Sequence, residues 1–239
     1  MNVQQLKYIV YMELFHVLNR GVDKRKIFLD DKDYFRFVHD LFEFNDEKSS
    51  SNTFRYFCHN TKNEQSNTWD VQRPTIRREL LVNIHAFSLM PNHYHMLLNA
   101  KVENGIPLFM KKVNMGYAKY FNQKYKRTGT LFEGRYKSVA VTQDVHLFHL
   151  PYYIHLNPLD LITPTWRERR VDNPAKAIEF LENYRWSSYL DYTGEKNFPS
   201  VTSRSFLSEI MGKVDNYKSE TQKWLKGMDY SIIKEITLE

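Results

Sequence analysis

Apolar and polar residues alternate through residues 80–100, with one interruption at Pro91-Asn92. Alternation with a period of two is typical of β-strands, and a proline followed by asparagine favours a turn. The pattern therefore predicts a strand over residues 80–89 and another over residues 93–100. A hairpin that turns at Met90-Pro91-Asn92 would join them.

Helical spacing recurs in the segments between the strands. Tyr34, Phe35, Val38, Leu41 and Phe42 predict a helix over residues 31–44, with Asp30 or Asp31 as its N-cap. A long amphipathic helix is predicted from Pro107 to Tyr125, with an apolar stripe on one side and lysines on the other. Further helices are predicted near residues 144–157, 175–192, 203–212 and 216–226.

Two more strands complete the predicted fold. Residues 7–19 are rich in β-branched and aromatic residues, and residues 136–141 form a shorter run. The order strand, helix, two strands, helix, strand predicts an α+β fold: a ferredoxin-like antiparallel sheet with helices packed on it, plus a C-terminal helical extension. We expect residues 1–160 and 161–239 to form two domains, with residues 45–79 as a polar surface insertion in the first.

Composition narrows the class of protein. The single cysteine, Cys58, excludes a disulfide within the chain and a thiolate zinc cluster. Hydrophobic residues make up 42% of the chain, which indicates a folded globular protein. No apolar run approaches the roughly 18 residues that a membrane span needs, and the N-terminus lacks the pattern of a signal peptide. We therefore expect a cytoplasmic protein that does not bind membranes.

Positive charge is concentrated in one part of the chain. The net charge is +6, and residues 111–137 contain eight lysines and arginines, four interleaved tyrosines and one acid, Glu133. Cations for phosphates beside aromatic rings for bases are typical of a nucleic-acid surface, although an ordinary basic amphipathic helix explains the same pattern. The candidate DNA-binding residues are Lys112, Lys119, Lys124, Arg135 and Lys137, together with Arg185 nearer the C-terminus.

His93 and His95 are the first candidate chemical groups. Two residues apart on a strand, they project from the same face, and two neutral imidazoles held that way form half of a metal site. The preceding turn would place the pair near an exposed end of the sheet. Two surface histidines on a half-buried strand remain the alternative interpretation.

Tyr153 and Asn157 are the second pair. They lie four residues apart and therefore share a helix face, whereas Tyr152 points elsewhere. The asparagine oxygen is a hard ligand of the kind that Mg²⁺ or Mn²⁺ takes, and a tyrosine beside such a cation can attack a phosphate and form a phosphotyrosine. A helix tyrosine packed on the sheet is the alternative.

Six segments in order resemble one family, the REP-associated tyrosine transposases. These are a branch of the single-tyrosine HUH endonucleases, where HUH denotes His–hydrophobic–His. The segments are Phe15-His16-Val17-Leu18-Asn19-Arg20-Gly21, Ile27-Phe28-Leu29-Asp30-Asp31, Met90-Pro91-Asn92-His93-Tyr94-His95-Met96-Leu97-Leu98, Gly129-Thr130-Leu131-Phe132-Glu133-Gly134-Arg135-Tyr136-Lys137-Ser138, Tyr153-Ile154-His155-Leu156-Asn157-Pro158 and Tyr184-Arg185-Trp186-Ser187-Ser188-Tyr189.

The resemblance implies a set of roles. His93 and His95 would bind Mg²⁺ or Mn²⁺ with Asn157 as third ligand, and Tyr153 would be the nucleophile of a catalytic domain formed by residues 1–160. The partner would be single-stranded DNA with a hairpin or palindromic repeat. Cleavage would leave a 5′-phosphotyrosine and a free 3′-hydroxyl. The protein would be a monomer or a homodimer.

Two departures from the family pattern lie close to the tyrosine. The family usually continues from Asn-Pro into Val-Arg-Ala-Gly, whereas this chain has Leu159-Asp160-Leu161-Ile162, so an acid replaces a cation. The residue before the tyrosine is usually arginine and here is Tyr152, which follows Pro151. Both changes affect the DNA contacts expected of this helix.

Three functions are compatible with these residues. The first is a metal-dependent tyrosine endonuclease and transposase that cuts and rejoins single-stranded DNA. The second is a catalytically silent, ferredoxin-like DNA- or RNA-binding protein domesticated from such an enzyme. The third is a histidine-ligated hydrolase that uses water. The complete set of His93, His95, Tyr153 and Asn157 favours the first, because a binding module needs no such set.

Overall fold

The computed structural model describes residues 13–48, 78–168, 170–211, 214–227 and 230–238. Its strands are β1 (Leu14–Arg20), β2 (Val82–Met90), β3 (His93–Ala100) and β4 (Lys137–Ala140). Its α-helices are α1 (Asp31–Glu43), α2 (Gly105–Lys124), α3 (Asp144–Leu156), α4 (Pro174–Asn183), α5 (Tyr189–Tyr192), α6 (Ser205–Met211) and α7 (Val214–Gly227). Short 3₁₀ helices span Val22–Lys24, Asn157–Leu161, Pro164–Glu168 and Tyr230–Ile236.

The four strands form one antiparallel sheet in the order β2-β3-β1-β4. With α1 between β1 and β2 and α2 between β3 and β4, this is the ferredoxin-like connection. The predicted α+β fold is therefore confirmed. Strands β3 and β1 occupy the centre of the sheet. Their side chains are therefore covered by the layers that pack on the two faces.

Each face of the sheet is covered by a different layer. Tyr94, Met96 and Leu98 of β3 belong to the core that α1 and α2 complete. Leu97, on the opposite face, belongs to a second core built with α3 and the C-terminal helices. The extension beyond residue 160 therefore packs on the sheet itself, so the sheet is layered on both faces and not on one alone.

The hairpin between β2 and β3 turns at Pro91-Asn92, as predicted. Its carbonyls are held by the chain that follows β1: Gly21 N–H donates to the Asn92 oxygen at 2.8 Å, and Ile27 N–H donates to the Pro91 oxygen at 2.8 Å. A Cβ at Gly21 would lie 2.3 Å from the Arg25 carbonyl oxygen, so this close approach requires glycine. These contacts fix the end of the sheet at which His93 lies.

The helix predicted over residues 175–192 is wrong in its second half. Helix α4 ends at Asn183, and the chain then runs along the outer edge of β2. Leu89 N–H donates to the Trp186 carbonyl at 2.9 Å, and Ser188 N–H donates to the Phe87 carbonyl at 3.0 Å. The open strand edge offers backbone partners that a continuous helix would leave unused, which explains the break.

Some of the predicted elements include residues that lie outside the described ranges. The predicted strand over residues 7–19 is observed from Leu14 onward, and its first six residues lie outside the described part. Residues 49–77, most of the predicted insertion, lie outside it as well. Among the helices that are described, none is long and apolar enough to cross a membrane. The division at residue 160 stays a prediction.

Trp186 anchors the edge segment among aromatic rings, and this generates a test of stability. Its side chain is buried, with its ring centroid 4.8 Å from those of Tyr34 and Phe35. Trp186→Ala should lower the free energy of unfolding by about 3–5 kcal/mol, as for other buried aromatics. Denaturant unfolding measures this, with Leu29→Ala as a control, because the Leu29 side chain is 53% exposed. A decrease below about 1 kcal/mol would contradict the anchoring role.

Candidate active site

His93 and His95 lie on the same face of β3, with ring centroids 5.0 Å apart. They face away from the core that α1 and α2 complete, because Tyr94 between them belongs to that core. His95 is fully buried and His93 nearly so. The strand period thus brings the two imidazoles together, as the sequence predicts.

A third histidine fixes the orientation of His95. The Nδ1–H of His16, on β1, donates to the carbonyl of Ile236, which can only accept. In neutral His16 the other nitrogen, Nε2, is then an acceptor, so the Nδ1–H of His95 donates to it at 2.9 Å. This assignment of tautomers leaves the lone pair of His95 on Nε2. Sequence reasoning assigned no role to His16, although it lies in the first family segment.

His93 is oriented in the same sense by the hairpin turn. The Nδ2–H of Asn92 donates to the Lys24 carbonyl at 3.2 Å, which turns the amide oxygen toward His93. The Nδ1–H of His93 donates to that oxygen at 2.6 Å. The lone pair of His93 is therefore on Nε2, as it is in the neighbouring His95.

Tyr153 of α3 packs against these histidines. Its ring centroid lies 5.7 Å from that of His95 and 6.1 Å from that of His16. Tyr152 points away and stacks on Tyr217, at 5.0 Å between centroids. Helix α3 continues through Pro151, so the proline does not rotate the register that places Tyr153 on the sheet.

Asn157 continues the helix face of Tyr153 by one turn. Its Nδ2–H donates to the Tyr153 carbonyl at 2.9 Å, and its Oδ1 accepts from Arg167 Nη2 at 2.9 Å. The guanidinium carbon of Arg167 also lies 5.6 Å from the centroid of the Tyr153 ring. Arg167 therefore contacts both residues of the predicted pair, and sequence reasoning missed it because it lies in a separate 3₁₀ helix.

Asp160, the acid that departs from the family pattern, holds this arginine in place. Its carboxylate forms an ion pair with Arg167 Nη1 and accepts a hydrogen bond from Trp166 Nε1 at 2.6 Å. Trp166 in turn packs on Tyr153, with 6.1 Å between ring centroids. The acid at the position where the family pattern has a cation is thus paired with a cation seven residues farther along the chain.

The histidine nitrogens fit a divalent metal, and the rest of the ligand set is only partly assembled. Within the described ranges, no three His, Cys, Asp or Glu side chains come together as a metal site. His93 and His95 supply two nitrogens, while the Asn157 oxygen accepts from Arg167 and would have to exchange that contact to bind a metal. Burial, followed by electrostatic interactions with His16, Arg167 and Arg20, lowers the pKa of His95 well below its usual value, so His95 stays neutral.

The candidate DNA-binding residues divide between different surfaces. Lys112, Lys119 and Lys124 lie on α2, which covers the face of the sheet opposite the histidines. Lys112 donates to the carbonyls of Asp46 and Glu47, and Lys124 forms ion pairs with Asp30 and Asp33. The structure therefore does not bring these lysines to the site, and their binding of DNA stays a prediction.

The other three cations lie elsewhere. Lys137 pairs in register with Leu18, which in turn pairs with His95, so Lys137 lies on the histidine face. Arg135 is exposed in the segment that leads into β4. The Arg185 guanidinium packs over the rings of Phe35, Trp186 and Phe198.

Comparison with known proteins gives one family and one solved structure. A family model described as "Transposase IS200 like" matches residues 72–157, which contain β2, β3, α2, β4 and α3. The solved structure, described as "Structure of the REP associates tyrosine transposase bound to a REP hairpin", aligns over 82% of this chain and 87% of that chain. Its sequence identity is 12% and its TM-score 0.46. None of the curated proteins matches this chain.

His155 attaches α3 to the C-terminal extension, which generates the next prediction. Its two ring nitrogens lie 2.7 Å from the Tyr217 hydroxyl and 2.7 Å from Ser188 Oγ. Burial lowers the pKa of His155 to about 3, so the ring is neutral, with one nitrogen donating and the other accepting.

His155→Phe should therefore lower the free energy of unfolding by about 1–3 kcal/mol, because the buried hydroxyls of Tyr217 and Ser188 each lose a hydrogen bond. Ser188 keeps its contacts with Phe87. Tyr217→Phe removes one partner alone and should cost less, about 0.5–1.5 kcal/mol. Both values come from urea unfolding curves. Equal or inverted decreases in the two variants would show that the histidine is not the shared partner.

Proposed function

Because residues 72–157 match the model of the IS200-like transposases, we propose that this chain is a metal-dependent tyrosine endonuclease and strand transferase acting on single-stranded DNA. The observation that carries the proposal is the position of the Tyr153 ring, 5.7 Å from that of His95. His95 and its neighbour His93 both direct Nε2 lone pairs away from their anchoring hydrogen bonds. A nucleophile and a pair of metal ligands thus share one face of the sheet.

The histidines would hold Mg²⁺ or Mn²⁺ through Nε2, with the Asn157 oxygen as the proposed third ligand. Such a cation, when bound, would polarise a phosphate oxygen. His16 holds the His95 ring by its hydrogen bond of 2.9 Å and so preserves the direction of the lone pair. Open positions would remain for the oxygens of a phosphodiester.

Tyr153 would attack the phosphorus of the phosphodiester. A bond forms between the tyrosine oxygen and phosphorus as the bond from phosphorus to the 3′ oxygen breaks. The phenol loses its proton and the 3′ oxygen gains one, which leaves a 5′-phosphotyrosine and a free 3′-hydroxyl. One phosphodiester replaces another, so rejoining needs no external energy source. The Arg167 guanidinium, 5.6 Å from the centroid of the ring, would offer hydrogen-bond donors to the phosphate oxygens.

Access to the nucleophile requires a local movement. Tyr153 and Asn157 are fully buried, and Trp166 and Arg167 cover them. The covering residues belong to the short 3₁₀ helix Pro164–Glu168, which is attached through Asp160. We expect the DNA strand to displace this helix. A phosphate of the DNA would then replace Asn157 as the hydrogen-bond partner of Arg167.

The proposed partner is a single strand that carries a hairpin or a palindromic repeat. The support for this choice is the ordered series of segments that resembles the REP-associated tyrosine transposases. The burial of Tyr153 favours a second candidate, a catalytically silent DNA- or RNA-binding protein of the same fold. The two candidates differ in one product, the covalent adduct.

The identity of the nucleophile can be tested directly. Incubation of the protein with labelled hairpin-bearing single strands and Mn²⁺ should give an adduct that survives denaturation. Tyr153→Phe should abolish the adduct while leaving DNA binding nearly intact, since only one hydroxyl is removed. Tyr152→Phe is the matched control and should retain the adduct, because Tyr152 stacks on Tyr217 away from the histidines. An adduct that maps to Tyr152 by peptide mass would refute the assignment, and no adduct at all would favour the silent protein.

Metal binding can be tested without DNA. Mn²⁺ that binds the folded state alone should raise the melting temperature, and His95→Ala should remove the shift. His16→Ala should weaken Mn²⁺ binding about 10–100-fold, as for other residues that orient a metal ligand. His39→Ala, on α1 across the sheet, should leave the shift unchanged. A shift that persists in His95→Ala would exclude the proposed site.

A further inference from the structure

A cavity of about 240 Å³ lies where β1 ends and β4 begins. Leu18, Asn19, Arg20, Glu133, Gly134, Arg135 and Lys137 line it. Three of these side chains are cationic and one is acidic, which gives the lining a net charge of +2. None of these seven described lining residues is aromatic, so the lining offers no ring on which a base could stack.

One backbone hydrogen bond and two bonds of the Asn19 side chain give this basic pocket a fixed shape. Glu133 N–H donates to the Arg20 carbonyl at 2.9 Å, and the Asn19 amide donates to the Gly134 carbonyl at 3.3 Å. Arg20 N–H donates to the Asn19 side-chain oxygen at 2.9 Å. These bonds tie the end of β1 to the segment before β4, so the cations are presented by strand ends and not by a free loop.

The pocket adjoins the two histidines. Arg20 pairs in register with His93, and Leu18 pairs with His95 on one side and Lys137 on the other. Directly paired residues on neighbouring strands project from the same face, and the strands lie about 4.7–4.9 Å apart. Arg20 and Lys137 therefore project from the face that carries the histidines. The positive charge of Arg20 is one of the causes that lower the pKa of His95.

One polar atom of the pocket lacks a partner. Among the residues that the structure describes, none forms a hydrogen bond with the buried Nε of Arg20. Buried polar groups without partners are rare in folded proteins, and a guanidinium edge matches the oxygens of a phosphate. The arginine thus has an unused donor at the site where a polyanion would cross the sheet.

We propose that this pocket binds a backbone phosphate of a nucleotide next to the scissile phosphodiester, through Arg20, Arg135 and Lys137. The inference rests on the proposed function and extends it. A DNA strand bound in this pocket would run over the end of β1 to the histidines. The subsite would determine which phosphodiester of the DNA lies next to Tyr153. Because it contacts only the backbone, it would bind every base sequence with the same affinity.

Binding of an oligothymidine of 20 nucleotides to the Tyr153→Phe protein in EDTA tests the subsite apart from chemistry. Arg20→Gln should weaken binding about tenfold at low salt, as expected when a charged hydrogen bond is removed. The Arg20→Gln, Lys137→Gln double variant should lower the slope of log K against log salt by about 0.7 for each phosphate that is no longer neutralised. Lys196→Gln, at an exposed lysine remote from the pocket, is the control and should change neither quantity.

Two further probes separate a phosphate subsite from a site that reads bases and from a purely structural arginine. On a strand of abasic sugars, Arg20→Gln should weaken binding by the same factor, since the contact is to the backbone. Arg20→Lys should restore part of the affinity, and the melting temperatures of all variants should match that of the parent. An Arg20→Gln variant that binds with unchanged affinity and salt slope would overturn the subsite while leaving the proposed function standing. Failure of the parent protein to bind the oligothymidine would overturn the subsite, and failure to bind a hairpin-bearing single strand as well would overturn both.

Discussion

The alternation of side chains along β3 is the constraint on which the rest of the structure depends. One face of this central strand carries Tyr94, Met96 and Leu98 into the core beneath α1 and α2. The other face carries His93 and His95. A shift of one residue in the pairing of β3 would turn the histidines into the core under α2 and turn the apolar set toward α3 and the C-terminal layer, so the hydrophobic core enforces the geometry of the site. The anchored Pro91-Asn92 turn fixes the same register from the end of the hairpin.

The C-terminal extension supplies contacts that hold the candidate site residues in place. It supplies the Ile236 carbonyl that fixes the tautomer of His16, the Tyr217 hydroxyl that holds His155, and Arg167 over Tyr153. Each of these contacts joins the extension to an element of the first 160 residues. The extension therefore contributes contacts to the candidate site, even though its own helices contribute neither of the two candidate histidines nor the tyrosine.

The sequence predicts best what depends on periodicity. The hairpin, the shared face of the histidines and the register that separates Tyr153 from Tyr152 all follow from periods of two or 3.6 residues. The resemblance to tyrosine transposases is confirmed at the level of the IS200-like family. Charge is a poorer guide, because a run of lysines does not indicate which face of the sheet its helix covers. Lys112 and Lys124 satisfy backbone carbonyls and carboxylates instead of lining the site.

For the same reason the sequence does not predict that His16 and Arg167 belong to the candidate site. Neither residue has a spacing that links it to the histidine pair, and each reaches the site through tertiary contacts alone. The break in the helix predicted over residues 175–192 has a similar origin. Its helical pattern is real up to Asn183, but the open edge of β2 competes for the backbone beyond that point. Tertiary hydrogen bonds of this kind override local propensity.

Electrostatics connect the histidines to the two arginines beside them. A metal needs a neutral imidazole, and an uncompensated carboxylate next to His95 would favour its protonated form instead. Here the neighbouring charges are Arg20 and Arg167, and both lower the pKa of His95 in addition to the larger effect of burial. Cations that keep His95 neutral would also attract a phosphodiester, so under the proposed function one arrangement of charge would serve both requirements. Asp160 does not reverse this effect, because its carboxylate is already paired with Arg167 and bonded to Trp166. Although an acid replaces a cation in the family segment, the Arg167 guanidinium therefore still lies over the tyrosine ring.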